Sequence, residues 1–390
     1  MDFQTAKQQD EAYIIHSYNR FPVLLTKGKG AAVQDDTGKA YIDFTSGIGV
    51  NALGFCDDGW IAAVTNQLNT LQHTSNLYYT EPCIRAAKLL CEKSGMQKVF
   101  FGNSGAEANE GVIKAARKYS FLKYGEGRSK ILALVNSFHG RTMATLSATG
   151  QDVYHNYFFP FVDGFVFANA NDTADTLAKM TEDVCAVMLE TVQGEGGVVP
   201  LDRAYVQAVA AACKQKDILL IVDEVQTGIG RTGTFFSYEQ FGIQPDLVSC
   251  AKGLGGGLPI GAVLFGEKTE TVFGAGDHGS TFGGNPVVCA GAVHILETID
   301  DAFLAEVQKK GAYLRGRIEA MPHVQSVAGL GMMLGIQLDV DAKPVIHTLL
   351  EAGLLVLSAK TKIRLLPPLT ISQDELDKGL SILENTLQAL

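Results

Sequence analysis

The stretch ILLIVDEVQTGIGRTGTFFSYEQFGIQPDLVSCAKGLGGGL, residues 218–258, decides how the rest of the chain is read. It opens with five apolar residues, 218–222, too few and too β-branched for a helix. That predicts a fully buried parallel strand delivering Asp223 at its C-terminal end, where open α/β sheets keep their ligands. A second apolar run, 247–250, predicts a neighbouring strand that presents Lys252 just ahead of glycines at 253, 255, 256 and 257. Two strand ends thus bring a carboxylate and an amine to one crevice.

That pair has two readings. A lysine that condenses with an aldehyde cofactor needs a neutral amine, which desolvation at an apolar strand end favours. A carboxylate facing a pyridine nitrogen keeps that nitrogen protonated, and these are the two contacts by which pyridoxal 5'-phosphate (PLP) is held. An ordinary ion pair at a sheet edge explains the same residues. Gly228, Gly230 and Gly233 also spell GxGxxG, the dinucleotide fingerprint. Asp223 and Glu224 directly before that loop would repel a pyrophosphate, and no apolar-periodic helix follows, so the fingerprint is set aside.

Working outward, residues 99–102 predict a short strand running into a polar turn. Ser104 and Glu107 form the S-x-x-E capping box of a helix start, and Ala108, Val112, Ala115, Ala116 and Tyr119 recur at helical spacing. The free amides of that helix start, with Gly105 allowing close approach, make a phosphate site. Residues 131–135 predict a strand ending near Phe138, His139 and Arg141, a flat ring for a planar cofactor and a guanidinium for a carboxylate. Another strand, 186–189, runs into a glycine-rich turn carrying Glu190 and Glu195. The alternation of strands and helices from about residue 95 to 265 predicts an α/β fold with a doubly wound, mostly parallel sheet.

Residues 31–34 and 40–44 predict a hairpin, and the glycine-punctuated stretch 45–54 a loop lining the site. Beyond residue 285 the pattern changes to a helical run, strands near 324–327 and 332–338, the segment IRLLPP and a closing amphipathic helix. This predicts a smaller α+β domain formed by both termini. The expected division is an N-terminal arm and part of the small domain (1–48), a large cofactor-binding domain (49–285) and a C-terminal small domain (286–390).

A net charge of −10 argues against a nucleic-acid partner. No segment has the apolar length of a membrane span and residues 1–9 have no signal-peptide core, so a cytoplasmic protein is expected. The seven cysteines form no CxxC pair and read as reduced thiols, and the eight histidines form no HExxH, so no metal site is expected.

Eight motifs in series carry a resemblance over nearly the whole chain: YIDFTSGIGVNALG, FGNSGAEANE, FHGRT, ETVQGEGGVVP, LLIVDEVQTGIGRTG, AKGLGGGLPIGA, HGSTFGGNP and IRLLPP. Together they resemble the class III aminotransferases, PLP-dependent enzymes of fold type I. The resemblance implies that Lys252 is joined to the cofactor and that Asp223 partners the pyridine nitrogen. It implies that Gln226 bonds the ring hydroxyl, that Phe138 stacks on the ring with His139 and Glu190 beside it, and that Ser104, Gly105 and Ala106 hold the phosphate. Thr281 resembles the residue that reaches the phosphate from the other subunit, implying a homodimer with shared sites.

Ser280 and Arg141 resemble substrate contacts. Arg364 matches the arginine for the near carboxylate of glutamate, and Glu195 the switch carboxylate that neutralises it for the amine donor. Within the class, the motifs are most similar to members that pass the terminal amine of N-acetylornithine to 2-oxoglutarate in arginine biosynthesis, giving N-acetylglutamate semialdehyde and glutamate. N-succinyl-diaminopimelate, succinylornithine, ornithine and 4-aminobutyrate are alternative donors. Outside the class stand a nicotinamide oxidoreductase and a catalytically silent PLP-fold binding protein, the latter opposed by the intact Lys252, Asp223 and Arg364. Two departures are noted. Thr191 stands where many relatives have proline, and residues 56–59 replace a histidine-containing turn near the substrate entrance.

Overall fold

The computed structural model describes residues 1–390. Its central sheet has seven strands: β1 (Lys98–Gly102), β2 (Lys130–Leu134), β3 (Phe165–Ala168), β4 (Val184–Leu189), β5 (Leu219–Asp223), β6 (Leu247–Cys250) and β7 (Gly261–Phe265). They lie in the order β1-β7-β6-β5-β4-β2-β3. Strands β6, β5, β4, β2 and β3 pair parallel in succession, while β7 runs antiparallel to both β6 and β1. The antiparallel strand turns the chain back so that residues 257–260, just before it, arrive at the edge where the other strands end.

Strands β4 to β7 are buried along their whole length, because helices cover both faces. Strand alternation divides their side chains between two cores: Leu220, Val222 and Val248 pack on one face, Leu219, Ile221 and Leu247 on the other. Helix Gly105–Tyr124 lies against β7 and β6 on the second face. The unbroken apolar run that marked β5 in the sequence is thus a strand with no solvent face.

Residues 31–34 and 40–44 form the expected hairpin as Ala32–Asp35 and Ala40–Asp43. Strand Leu354–Leu355 adds to it in parallel, so both termini share one layer. A separate antiparallel sheet contains Val324–Leu330, Met333–Leu338, Lys362–Leu365 and Leu357–Ala359. Helix Pro286–Thr298 packs against helices Asp58–Thr70 and Glu81–Ser94. All seven cysteines are free thiols, and no helix is long and apolar enough to cross a membrane.

Two local expectations are refined. Only half of the capping box forms: Ser104 accepts from the Glu107 amide at 3.1 Å, but the Glu107 carboxylate reaches past the cap to the Asn103 amide and side chain, both at 2.8 Å. The stretch 45–54 lines the cavity through Val50, as expected, but also holds a single turn, Ser46–Gly49, where Ser46 Oγ donates to the Leu366 carbonyl at 2.6 Å. The GxGxxG loop leads into a short 3-10 turn, Ser237–Phe241, and carries a buried Arg231. That arginine donates to the carbonyls of Met332 and Pro367, tying the large layer to the C-terminal segment.

Candidate active site

Five strands end at one cavity of about 460 Å³. The chain leaves β1 into Asn103 to Ala106, β2 into Phe138 to Arg141, β4 into Glu190, β5 into Asp223 to Gln226 and β6 into Lys252, and all of these residues except Glu224 line the space with Glu195. Leu258, Pro259 and Ile260, on the approach to the antiparallel β7, close one wall.

Asp223 is 3% exposed and held by three donors. Its Oδ2 accepts from Asn109 Nδ2 at 2.7 Å and His139 Nδ1 at 2.8 Å, and its Oδ1 from the Val225 amide at 2.9 Å. One lone pair of Oδ1 is left for a ligand. Burial disfavours a charged His139, but the hydrogen bond and charge of Asp223 outweigh it and raise the imidazole's pKa. Glu190 accepts from the Phe138 amide at 2.9 Å and the Gly194 amide at 3.3 Å. Burial pushes its carboxyl up to about 7, with His139 opposing.

Lys252 has a left-handed backbone (φ 43°), as does Asn136 (φ 67°), and such strain gathers at functional sites. Burial lowers the Lys252 pKa, although Glu195 and Asp223 pull it upward, so the neutral amine is favoured relative to an exposed lysine. Behind it, Arg364 is 3% exposed and donates to Glu195 at 2.5 Å and to Gln226 Oε1 at 3.1 Å. Gln226 Nε2 in turn donates to Glu195 at 3.3 Å. Burial pushes Glu195 upward, but the Arg364 guanidinium outweighs it and holds the carboxyl below its ordinary range.

Ser104, Gly105, Ala106, Phe138, His139, Arg141, Glu190, Glu195, Asp223, Gln226 and Lys252 are therefore brought together as the sequence predicted. Three predicted residues do not line the cavity. Arg364 is covered by Glu195 and Gln226, and Ser280 sits behind Asn103, accepting from its Nδ2 at 3.0 Å. Thr281 is exposed on the surface of this chain.

The turn at residues 56–59 does not line it either. Asp57 caps helix Asp58–Thr70 and meets His294 Nε2 at 2.9 Å, a structural role that no entrance needs. Thr191, buried, bonds to Ser237 in the network around Glu224. Sequence reasoning missed Asn109, whose only signal was a polar residue on the buried side of an otherwise apolar helix face.

This fold and site define the chain as a class III aminotransferase: it belongs to the Aminotransferase class-III family, whose model matches residues 13–387. Among relatives, it is 53% identical to the acetylornithine aminotransferase of Haemophilus ducreyi, over 98% of each chain. It superimposes on N-acetylornithine aminotransferase from Stenotrophomonas maltophilia with a TM-score of 0.84 at 35% identity, over 98% of each chain. With an ornithine aminotransferase of Toxoplasma gondii that carries PLP at partial occupancy, the TM-score is 0.94 at 30% identity, covering 99% of this chain and 94% of the other. The enzyme is PLP-dependent.

The residues present fit that group. The amides of Gly105 and Ala106 open helix Gly105–Tyr124 and have no carbonyl a turn earlier to bond, as a phosphate requires. A Cβ on Gly105 would lie 2.6 Å from Val225 Cγ1, so the glycine is needed to bring the helix start this close. The Nε2 of buried His139 and the Nε of buried Arg364 have no partner within the chain.

Proposed function

We propose that this aminotransferase moves the terminal amino group of N-acetylornithine to 2-oxoglutarate, giving N-acetylglutamate semialdehyde and glutamate. The observation that carries the reading is the covering of Arg364 by Glu195 beside an unpaired Arg141. In this state one guanidinium is free for carboxylate, which suits a donor with a single carboxylate far from its reacting amine. Glutamate carries a second carboxylate beside the reacting carbon, and it is met by Arg364 once Glu195 swings away. The carboxylates lining the pocket, Glu190, Glu195 and Asp223, each already accept hydrogen bonds within the chain, so none is set aside for the free α-ammonium of ornithine. That favours a donor whose α-amine is acylated.

When bound, PLP supplies an electron sink for the carbon that carries the transferred nitrogen. Asp223 would face its ring nitrogen, Gly105 and Ala106 its phosphate, Phe138 its ring, and Gln226 its hydroxyl through the amide proton not given to Glu195. Lys252 Nζ, its proton affinity lowered by burial, would take a proton from the substrate carbon and pass it to the carbon on the other side of the transferred nitrogen. Such acid–base help contributes on the order of a hundredfold to ten-thousandfold. His139 holds Asp223 in place from behind.

The same reading includes a homodimer in which Thr281 serves the partner's phosphate, supported by its exposure outside its own chain's pocket. It includes a cytoplasmic place in arginine biosynthesis. It also includes the division at residues 48 and 285, supported by the shared layer of both termini, with Pro286–Thr298 as the bridging helix.

The test is Glu195→Ala, with each half-reaction followed separately. Leaving Arg364 buried and uncompensated costs about 3–5 kcal/mol. The N-acetylornithine half should slow on the order of a hundredfold or more, and the glutamate half only slightly; equal losses would remove the switch. N-acetylornithine and succinylornithine compared as donors with wild-type enzyme decide the acyl group, and ornithine whether one is needed.

A further inference from the structure

Arg141 makes no ion pair or hydrogen bond within the chain, yet its guanidinium is not left to wander. Its Cζ lies 4.0 Å from the centroid of the Tyr154 ring and 5.5 Å from that of Phe138. Tyr154 itself meets Phe138 edge-on, centroids 5.8 Å apart at 73°. The three side chains form one cluster at the rim of the cavity, in which Arg141 is exposed and Tyr154 half-buried.

Tyr154 is placed by the backbone around it. It ends the short turn Asp152–Tyr154, and its amide donates to the Gln151 carbonyl at 3.0 Å. Gln151 is 7% exposed and its Nε2 donates to the Ser137 carbonyl at 3.0 Å, directly before Phe138. On the other side, His155 Nε2 lies 2.8 Å from the Leu146 carbonyl. The turn that carries Tyr154 is thereby stitched to the loop that carries Phe138 and Arg141.

We infer that Tyr154 is a positioning residue for substrate affinity: it holds Arg141 ready for the distal carboxylate common to both substrates. The chemistry favours this division of labour. A ring contacts the face of a guanidinium and leaves the in-plane N–H donors free for two parallel bonds to a carboxylate. An acidic partner would orient the arginine equally well but would occupy those donors. An exposed cation–π contact is worth roughly two- to fivefold in affinity, and about thirtyfold once water is excluded. The inference rests on the reading that Arg141 takes the distal carboxylate.

The experiment is steady-state kinetics of the holoenzyme carrying Tyr154→Leu, Tyr154→Phe, Arg141→Ala or Tyr154→Leu with Arg141→Ala. Tyr154→Met, which keeps the bulk without a ring face, replaces the leucine variant if that does not fold. The substrates are N-acetylornithine, 2-oxoglutarate and N-acetyl-1,4-diaminobutane, the donor without its carboxylate. Tyr154→Leu should raise KM for both carboxylated substrates together, about three- to thirtyfold. Its kcat should stay within about twofold of wild type, since the contact is the same in ground and transition states. The amine lacking a carboxylate should be unaffected, Tyr154→Phe should behave as wild type, and Tyr154→Leu should add nothing once Arg141 is alanine.

Equal losses on all three substrates would make Tyr154 a packing residue and overturn the inference. So would an unchanged KM in Tyr154→Leu while Arg141→Ala raises it. If Arg141→Ala itself leaves KM for N-acetylornithine unchanged, the reading of Arg141 fails first, and the inference falls with it.

Discussion

Asp223 shows how much of a catalytic site lies in residues that touch no substrate. Its orientation depends on Asn109, whose side chain is buried and gives both amide protons away, one to the His139 carbonyl and one to Asp223, each at 2.7 Å. The Asn109 carbonyl oxygen is left without a partner, a cost of about 1–3 kcal/mol that a purely structural core position would avoid. Losing a hydrogen bond to a charged group costs about 1.5–3 kcal/mol. Asn109→Ala should therefore lower kcat on the order of tenfold or more and weaken PLP retention, measured by reconstitution of the apoenzyme. Asn109→Asp should be worse than alanine, because it sets a second carboxylate against Asp223; an aspartate variant that matches wild type would end this account.

Among the elements, the contact that matters most is between β7 and the start of helix Gly105–Tyr124. A Cβ on Gly261 would fall 2.1 Å from the Ser104 carbonyl oxygen and 2.7 Å from its carbon. These are backbone atoms of the helix cap and cannot rotate away. Gly261→Ala should push the helix start off its place at a cost of about 1–3 kcal/mol. Thermal unfolding should move down, and PLP should bind at least several-fold more weakly, the phosphate amides having moved. An alanine variant with native affinity for PLP would show that the helix start can shift without harm. Nothing in the sequence around Gly261 announces this, since the clash is with a residue far away along the chain.

At the scale of the whole molecule, buried acids set the pH dependence of stability. Glu224 is fully buried, accepts from Ser237, Thr227 and the Tyr238 amide, and is pushed by burial up to about 7. A carboxyl with a raised folded-state pKa keeps its proton in the folded protein while the unfolded chain releases it. Stability from this group is therefore full below about 4.5, falls as pH rises, and levels off above about 7. The span corresponds to a loss on the order of 3 kcal/mol. Denaturant midpoints of wild type and Glu224→Gln measured from pH 5 to 8 should diverge in favour of the glutamine variant as pH rises; parallel curves would mean that Glu224 ionises freely. Arg231 works at the same scale in the opposite sense of charge, since burial pulls it down to about 9 while its bonds to the Met332 and Pro367 carbonyls hold two layers together.

What the sequence alone determined is local chemistry with a short period. The unbroken apolar runs of β2, β4, β5 and β6 marked buried parallel strands, and their ends marked Asp223, Lys252, Glu190 and Phe138, because a strand's environment is written into consecutive residues. The motifs in series then carried the aminotransferase class. Only the tertiary structure decided which distant groups meet. Glu195, Gln226 and Arg364 form one hydrogen-bonded set although 31 residues separate the first two and 138 the last two. Tyr154 joins Arg141 from a turn with no motif, Glu107 bypasses its cap for Asn103, and Arg231 makes a loop that reads as a dinucleotide fingerprint into a tie between layers. Such pairings depend on where strands are laid side by side, which one strand's own residues do not encode.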